Sequence, residues 1–187
     1  MLSRAFDGDP LMRTFFSNSS IPADQARLKL FGFSCLVRFE LRWPLLGVVD
    51  DGRVCGVACV SYPEFPGWTE KLEHINAKFK QKIGDDAAGK LERYSELVDE
   101  NRPEDVHHFL AVLGIDPHDQ GRGFGRMLLE EVQAQAITHP RSTGVALDTE
   151  NPRNVPFYKH FGYNLTAESR LGDTKIYHFF RPASPDR

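Results

Sequence analysis

From Ala23 to about Arg38 the apolar positions fall at Ala26, Leu30, Phe33 and Val37, the spacing of one helix face. Ser19-Ser20-Ile21-Pro22 supplies the start of that helix, with a hydroxyl cap and a proline in the first turn. Two β-rich runs follow, Leu45 to Val49 and Val54 to Ser61. Asp50-Asp51-Gly52-Arg53 between them predicts a hairpin turn, because Asp and Gly tolerate positive φ. Trp68 to Glu100 is charged and helical in pattern, and the break at Gly84-Asp85-Asp86 divides it into two helices. Val106 to Ile115 is apolar and reads as a buried strand. A loop from Asp116 to Gly123 leads into a helix from about Phe124 to Thr138, with Met127, Leu128, Val132 and Ala136 on one side. Gly144 to Thr149 is a short strand, and Pro152 to Phe161 a short helix closed by Gly162. Tyr163 to Arg170 and Thr174 to Arg181 form a last hairpin. The pattern predicts an α/β (α+β mixed) domain around one mixed sheet, with residues 182–187 as a frayed tail.

Charge and composition narrow the functions. Lys plus Arg number 23 against 26 Asp plus Glu, so the chain is mildly acidic and a poor nucleic-acid binder. No apolar run approaches the ~20 residues of a membrane span. The opening residues lack a basic segment followed by an apolar stretch, so no signal peptide is expected. Cys35, Cys55 and Cys59 are few and odd in number, which predicts reduced thiols and a cytoplasmic location. Cys55 and Cys59 share one strand face roughly 13 Å apart, too far for a disulfide. The histidines show no metal-ligand spacing, and no metal is expected.

The chemistry concentrates between Ile115 and Arg126. A buried strand ends, glycines alternate at Gly121, Gly123 and Gly125, and a helix opens directly on the loop. Such a loop lets the backbone approach a ligand, and the helix start offers N–H groups and a positive dipole end to a phosphate. Arg122 and Arg126 add positive charge. The Lys-Ser/Thr pair of a P-loop is absent, and the Gly-x-Gly-x-Gly spacing differs from the dinucleotide fingerprint, although Asp148 keeps that alternative open. A tight helix start without any ligand is the plain alternative.

Gln120-Gly121-Arg122-Gly123-Phe124-Gly125 resembles the Gln/Arg-x-x-Gly-x-Gly/Ala signature of the GCN5-related N-acetyltransferases (GNAT). The stretch from Leu147 to Tyr163, with Asn151, Asn154 and Tyr158, resembles that superfamily's asparagine loop and tyrosine helix. In wording both motifs are similar to puromycin N-acetyltransferase and its bacterial relatives. The resemblance implies a GNAT fold: a mostly antiparallel twisted sheet splayed at the cofactor strand and flanked by helices. It implies one domain over 1–181, with an acceptor-side half (1–105) and an acetyl-CoA half (106–181). It also implies acetyl transfer from acetyl-CoA (coenzyme A as product) to a primary amine.

In that reading Leu113, Gly114 and Ile115 bind the pantetheine arm through their backbone. Gln120, Gly121, Arg122, Gly123, Phe124, Gly125 and Arg126 cradle the pyrophosphate. Asn151 and Asn154 flank the pantetheine, and Tyr158 is the general acid. For the general base, His107, His108, Asp148 and Glu150 remain open, with His107 and His108 on opposite faces of their strand. The expected acceptor is a small-molecule amine, and the expected state a monomer or homodimer without membrane or nucleic-acid partners. A protein N-terminal or lysine acetyltransferase and a non-catalytic acyl-CoA-binding module are the rivals. One departure stands out: the family's first strand has no counterpart before Ala5-Phe6.

Overall fold

The computed structural model describes residues 1–184. Two short helices open the chain, α1 (Leu2–Ala5) and α2 (Pro10–Phe15), before the long α3 (Ala23–Leu41). Periodicity could not show the first two. Asp9 caps α2, its carboxylate accepting from the backbone N–H of Leu11 and Met12, with Pro10 in the first turn. The predicted hairpin is β1 (Leu45–Asp50) and β2 (Arg53–Ser61), turned through positive φ at Asp51 and Gly52. Helices α4 (Glu70–Ile83) and α5 (Asp85–Asn101) meet at Gly84, whose φ of 84° favours glycine. Then come β3 (His108–Ile115), α6 (Phe124–Thr138), β4 (Gly144–Thr149), α7 (Val155–His160), β5 (Asn164–Leu171) and β6 (Thr174–Pro182).

The strands form one six-stranded sheet in the order β1-β2-β3-β4-β6-β5. Only β3 and β4 run parallel; the other neighbours are antiparallel. Among the described residues no strand precedes Leu45, so β1 is an outer strand. Residue 182, assigned to a frayed tail by the sequence, is held in the sheet. Pro182 still pairs with Gly144, and the Ala183 N–H donates to Thr143 O at 2.8 Å. Residues 185–187 lie outside the described residues.

Apolar side chains cover both faces of the sheet. Under α6 and α7, Ala58, Val60, Leu110, Leu147 and Phe179 pack with Leu129, Val132 and Tyr158. On the other face Leu11, Met12, Phe15 and Phe31 of the N-terminal helices and Leu97 of α5 pack against Cys59, Val112 and Ile176. Gly144 is required where β4 meets β6, because a β-carbon there would lie 2.3 Å from the Arg181 carbonyl oxygen.

The feature that positions the site is an irregularity in β3. Val60 of β2 pairs with Leu110 and Cys59 with Val112, so Ala111 is an extra residue. This is a β-bulge, which bends the strand and breaks its ladder locally. It also changes the strand's parity. His108 and Leu110 share a face before the bulge, whereas Val112 and Gly114 face the N-terminal helices after it. At the same point β3 stops pairing with β4, the last pair being Leu110 with Leu147. From Ala111 to Ile115 the backbone edge toward β4 is released from the ladder.

Candidate active site

Two structures meet at this parting. The first is the loop between β3 and α6. Gly121 and Gly123 take φ of 77° and 84°, and open space lies where their β-carbons would be. Gly123 precedes the first residue of α6 without any side-chain cap, so the N–H groups of the first turn face outward. Gly125 lies close to Phe157 and Ile115. The loop is pinned from below by Asp119, a residue the glycine pattern does not reveal. The Asp119 carboxylate, 3% exposed, meets Arg53 at 2.8 Å and Arg122 at 2.9 Å. The hydrogen bond from Arg53 is the largest of the effects that hold Asp119 down to about 2. Arg122 also reaches Asp50 at 2.6 Å and lies over the Phe124 ring. Its side chain is therefore a strut between β1 and the loop. Arg126 pairs with Glu130 one turn along α6 and is largely exposed. The Gln120 amide reaches back to Ile115 O at 3.5 Å.

The second is a cavity of about 820 Å³ on the face covered by α2, α3 and α5, reaching Leu113, Asn154 and Tyr158 at the parting. Tyr158 is buried, and its ring packs on Tyr163 and Phe179. Burial raises its pKa, so the hydroxyl stays protonated. Among the described residues that hydroxyl has no hydrogen-bond partner. Asn154 donates to Thr149 Oγ1 at 3.2 Å, while Asn151 accepts from the Arg153 N–H and shapes the turn before α7. Gly114 admits the N-terminal helix: a β-carbon there would lie 2.6 Å from Leu2 and 3.0 Å from Phe6. Arg4 anchors that helix to buried Asp116 at 2.5 Å.

The candidate bases separate clearly. His108 is fully buried on the opposite face, bonded to Ser142 at 2.8 Å, and burial lowers it to about 4. It does not reach the cavity. His107 lines the cavity, its Nδ1 donating to Asp105 O at 2.6 Å. It lies three residues, about 10 Å of strand, before the parting at Leu110. Asp148 and Glu150 lie at the parting itself, on and just past the end of β4. His178 Nδ1 donates to Asp148 Oδ1 at 2.6 Å, and its Nε2 accepts from Ser169 at 2.8 Å. Oδ2 of Asp148 is left buried and unpartnered. Glu150 is 9% exposed and accepts from the Tyr94 hydroxyl at 2.9 Å. Burial, then the Asp148 charge, raise Glu150 to about 8. Neither Tyr94 nor His178 carries a local sequence signal, because each reaches the site from a distant element.

Residues 85–165, from α5 to the start of β5, match the family described as Acetyltransferase (GNAT) domain. Arylalkylamine N-acetyltransferase 2 from Aedes aegypti superposes with a TM-score of 0.70 at 16% identity, covering 98% of this chain and 91% of that one. The fold is the GNAT fold. A Corynebacterium glutamicum structure described as histone acetyltransferase HPA2 and related acetyltransferase gives a TM-score of 0.67 at 18% identity, over 100% and 90% of the two chains. The Drosophila melanogaster polyamine N-acetyltransferase gives 0.61 at 16%, over 97% and 90%. The likeness is one of fold at these identities, and the GNAT topology holds across nearly the whole chain. No helix among the described residues is long and apolar enough to cross a membrane.

Proposed function

We propose that this protein transfers the acetyl group of acetyl-CoA to the primary amine of a small molecule. The observation that carries the reading is the parting of β3 and β4, with the buried Tyr158 and the carboxylates of Asp148 and Glu150 at the gap. The GNAT fold supports it, as do neighbours described as acting on arylalkylamines and polyamines. The cavity, walled by helices and aromatic rings and open on one side, suits a small-molecule acceptor.

The residues present fit acetyl-CoA. Open space over Gly121 and Gly123 and the uncapped start of α6 suit a pyrophosphate. The released edge of β3 at Leu113, Gly114 and Ile115 offers backbone bonds to the amides of a pantetheine arm. Gln120, Phe124, Gly125 and Asn151 flank that path, and exposed Arg126 can turn to a phosphate. When bound, acetyl-CoA supplies an activated acetyl thioester.

The chain's own residues then have distinct tasks. Asp148 draws an ammonium group to the gap. Glu150, raised to about 8, takes the proton from that ammonium in its ionised form, whose share grows as pH rises toward 8. Backbone N–H groups of the released β3 edge would stabilise the negative charge that grows on an acetyl oxygen held there. Tyr158 holds its proton at the hydroxyl and gives it to the departing sulfur. Holding the amine at the gap provides most of the rate.

Thiol release from acetyl-CoA in the presence of arylalkylamines, polyamines and amino acids tests the reading. Release above the hydrolysis rate, with the acetylated amine detected by mass spectrometry, is expected for at least one class. Release at the hydrolysis rate throughout contradicts it.

A further inference from the structure

The cavity has a second polar end, where Arg38 and Arg102 line it together with the carboxylates of Asp99, Glu104 and Asp105. Arg38, on α3, is 8% exposed, yet forms no ion pair among the described residues. Its Nη1 donates to the Ser34 carbonyl and hydroxyl, and its Nη2 to Ser61, all of them neutral. Its Nε is buried and unpartnered. Arg102, at the end of α5, lies with its guanidinium 3.7 Å from the centre of the Phe109 ring, and its Nε is also buried and unpartnered. Arg102 pairs with Asp99, whose side chain is 68% exposed, so water screens much of that contact. Both arginines line the cavity.

A buried guanidinium without a counter-ion is costly unless a ligand completes it. The acidic groups facing Arg38 within the fold are the thiols of Cys35 and Cys59, whose sulfurs lie 4.0 Å apart. The neighbouring Cys35, then burial, raise the Cys59 thiol. The contact with Cys59 lowers the Cys35 thiol. Arg38 therefore remains under-compensated at this end of the cavity, and Arg102 beside it, 32% exposed, has one solvent-screened ion pair, to Asp99.

This end is separate from the glycine loop. Ser61, which Arg38 touches, pairs with Phe109 near the start of β3, whereas the loop follows Ile115 at its end. Six residues of strand put them about 20 Å apart. The register also measures the distance to the amine end. Leu110 pairs with Leu147, so Asp148 and Glu150 lie two to four residues beyond the level of Phe109. That is about 7–13 Å along the strand. Aromatic side chains, including Phe33, Trp43, Phe65 and Phe109, line the cavity around and beyond this interval.

Resting on the acetyltransferase reading above, we infer that the acceptor is bipolar. Its amine lies against Asp148 and Glu150, an apolar stretch spans the aromatic wall, and a terminal carboxylate or other oxyanion docks on Arg38 and Arg102. An arginine fork suits such an oxyanion because it donates two parallel bonds.

The test compares ω-aminohexanoate, ω-aminooctanoate and ω-aminodecanoate with hexylamine, octylamine and decylamine. Binding is read by calorimetry on the full chain, with no turnover required. At one chain length the amino acid is expected to bind roughly tenfold or more tighter than its alkylamine. Arg38→Gln is expected to abolish that preference, and Arg38→Lys to retain part of it. Arg102→Gln gives a second variant, placed outside the core, should Arg38→Gln fail to fold. Equal binding of the two series, no binding of either, or a preference that survives in both glutamine variants overturns the inference. Thiol release from acetyl-CoA separates the two readings. If the amino acids bind with the predicted preference but no amine is acetylated, the acetyltransferase reading fails and the bipolar site stands. If alkylamines are acetylated as well as the amino acids, the bipolar site fails and the acetyltransferase reading stands.

Discussion

Tyr158→Phe is expected to lower kcat by roughly 10²–10⁴-fold, the range for loss of a positioned acid. The substitution removes one oxygen and keeps the ring against Tyr163 and Phe179, with centroids 5.9 and 5.7 Å away. That oxygen has no partner among the described residues, so nothing within the fold is left unsatisfied. Stability should therefore change little, because no hydrogen bond within the fold is broken. Affinity for CoA should be preserved, because the glycine loop and the released edge of β3 lie elsewhere. A variant with normal CoA affinity and unchanged kcat would remove Tyr158 from the mechanism and leave the cofactor half of the account intact.

Glu150→Gln is expected to separate activity from stability. Gln retains the shape and still accepts from the Tyr94 hydroxyl, but takes no proton. A loss of about 10²-fold or more in kcat/KM follows if Glu150 is the base. The rise of kcat/KM toward pH 8 should disappear with it. The stability effect has a definite sign. Glu150 holds its proton up to about pH 8 in the folded protein and up to about 4.5 when unfolded. Its contribution is therefore fully present below about pH 4.5 and is lost as pH rises through 8. The parent protein should lose Tm between pH 5 and 8 relative to the variant. His108 acts in the opposite direction, since its folded value is lowered to about 4. It is common to both proteins and cancels in the comparison. A variant whose Tm follows pH in parallel with the parent would place Glu150 in water, outside the buried site.

The elements of the C-terminal half were legible because each carries a local signal. The glycines of the loop, the proline starting the turn before α7 and the Leu171-Gly172-Asp173 turn between β5 and β6 need no tertiary knowledge. The residues that tune the site were hidden for a common reason. The Ala111 bulge changes the parity of β3, and nothing in the run His108–Ile115 marks where the extra residue falls. Strand alternation did place His107 and His108 on opposite faces, and it holds there because both precede the bulge. Glu150 owes its raised pKa to burial, to Asp148 beside it and to Asp9 from the N-terminal segment. Asp119 and Arg53 are 66 positions apart in the chain and meet only through the hairpin's packing. Arg38 reads as an ordinary helix cation, and only the fold shows that it is buried without a carboxylate.

The central claim is that this fold binds acetyl-CoA at the parting of β3 and β4. The most direct measurement is thermal unfolding of the full chain with acetyl-CoA, CoA, NAD or ATP at equal concentration. A specific ligand at ~100-fold over its Kd adds about 2.7 kcal/mol. For a protein of this size that raises Tm by roughly 5–10 °C. The account predicts this shift with acetyl-CoA and CoA and none of comparable size with NAD or ATP. No shift with either CoA species, or a larger one with NAD or ATP, would contradict it.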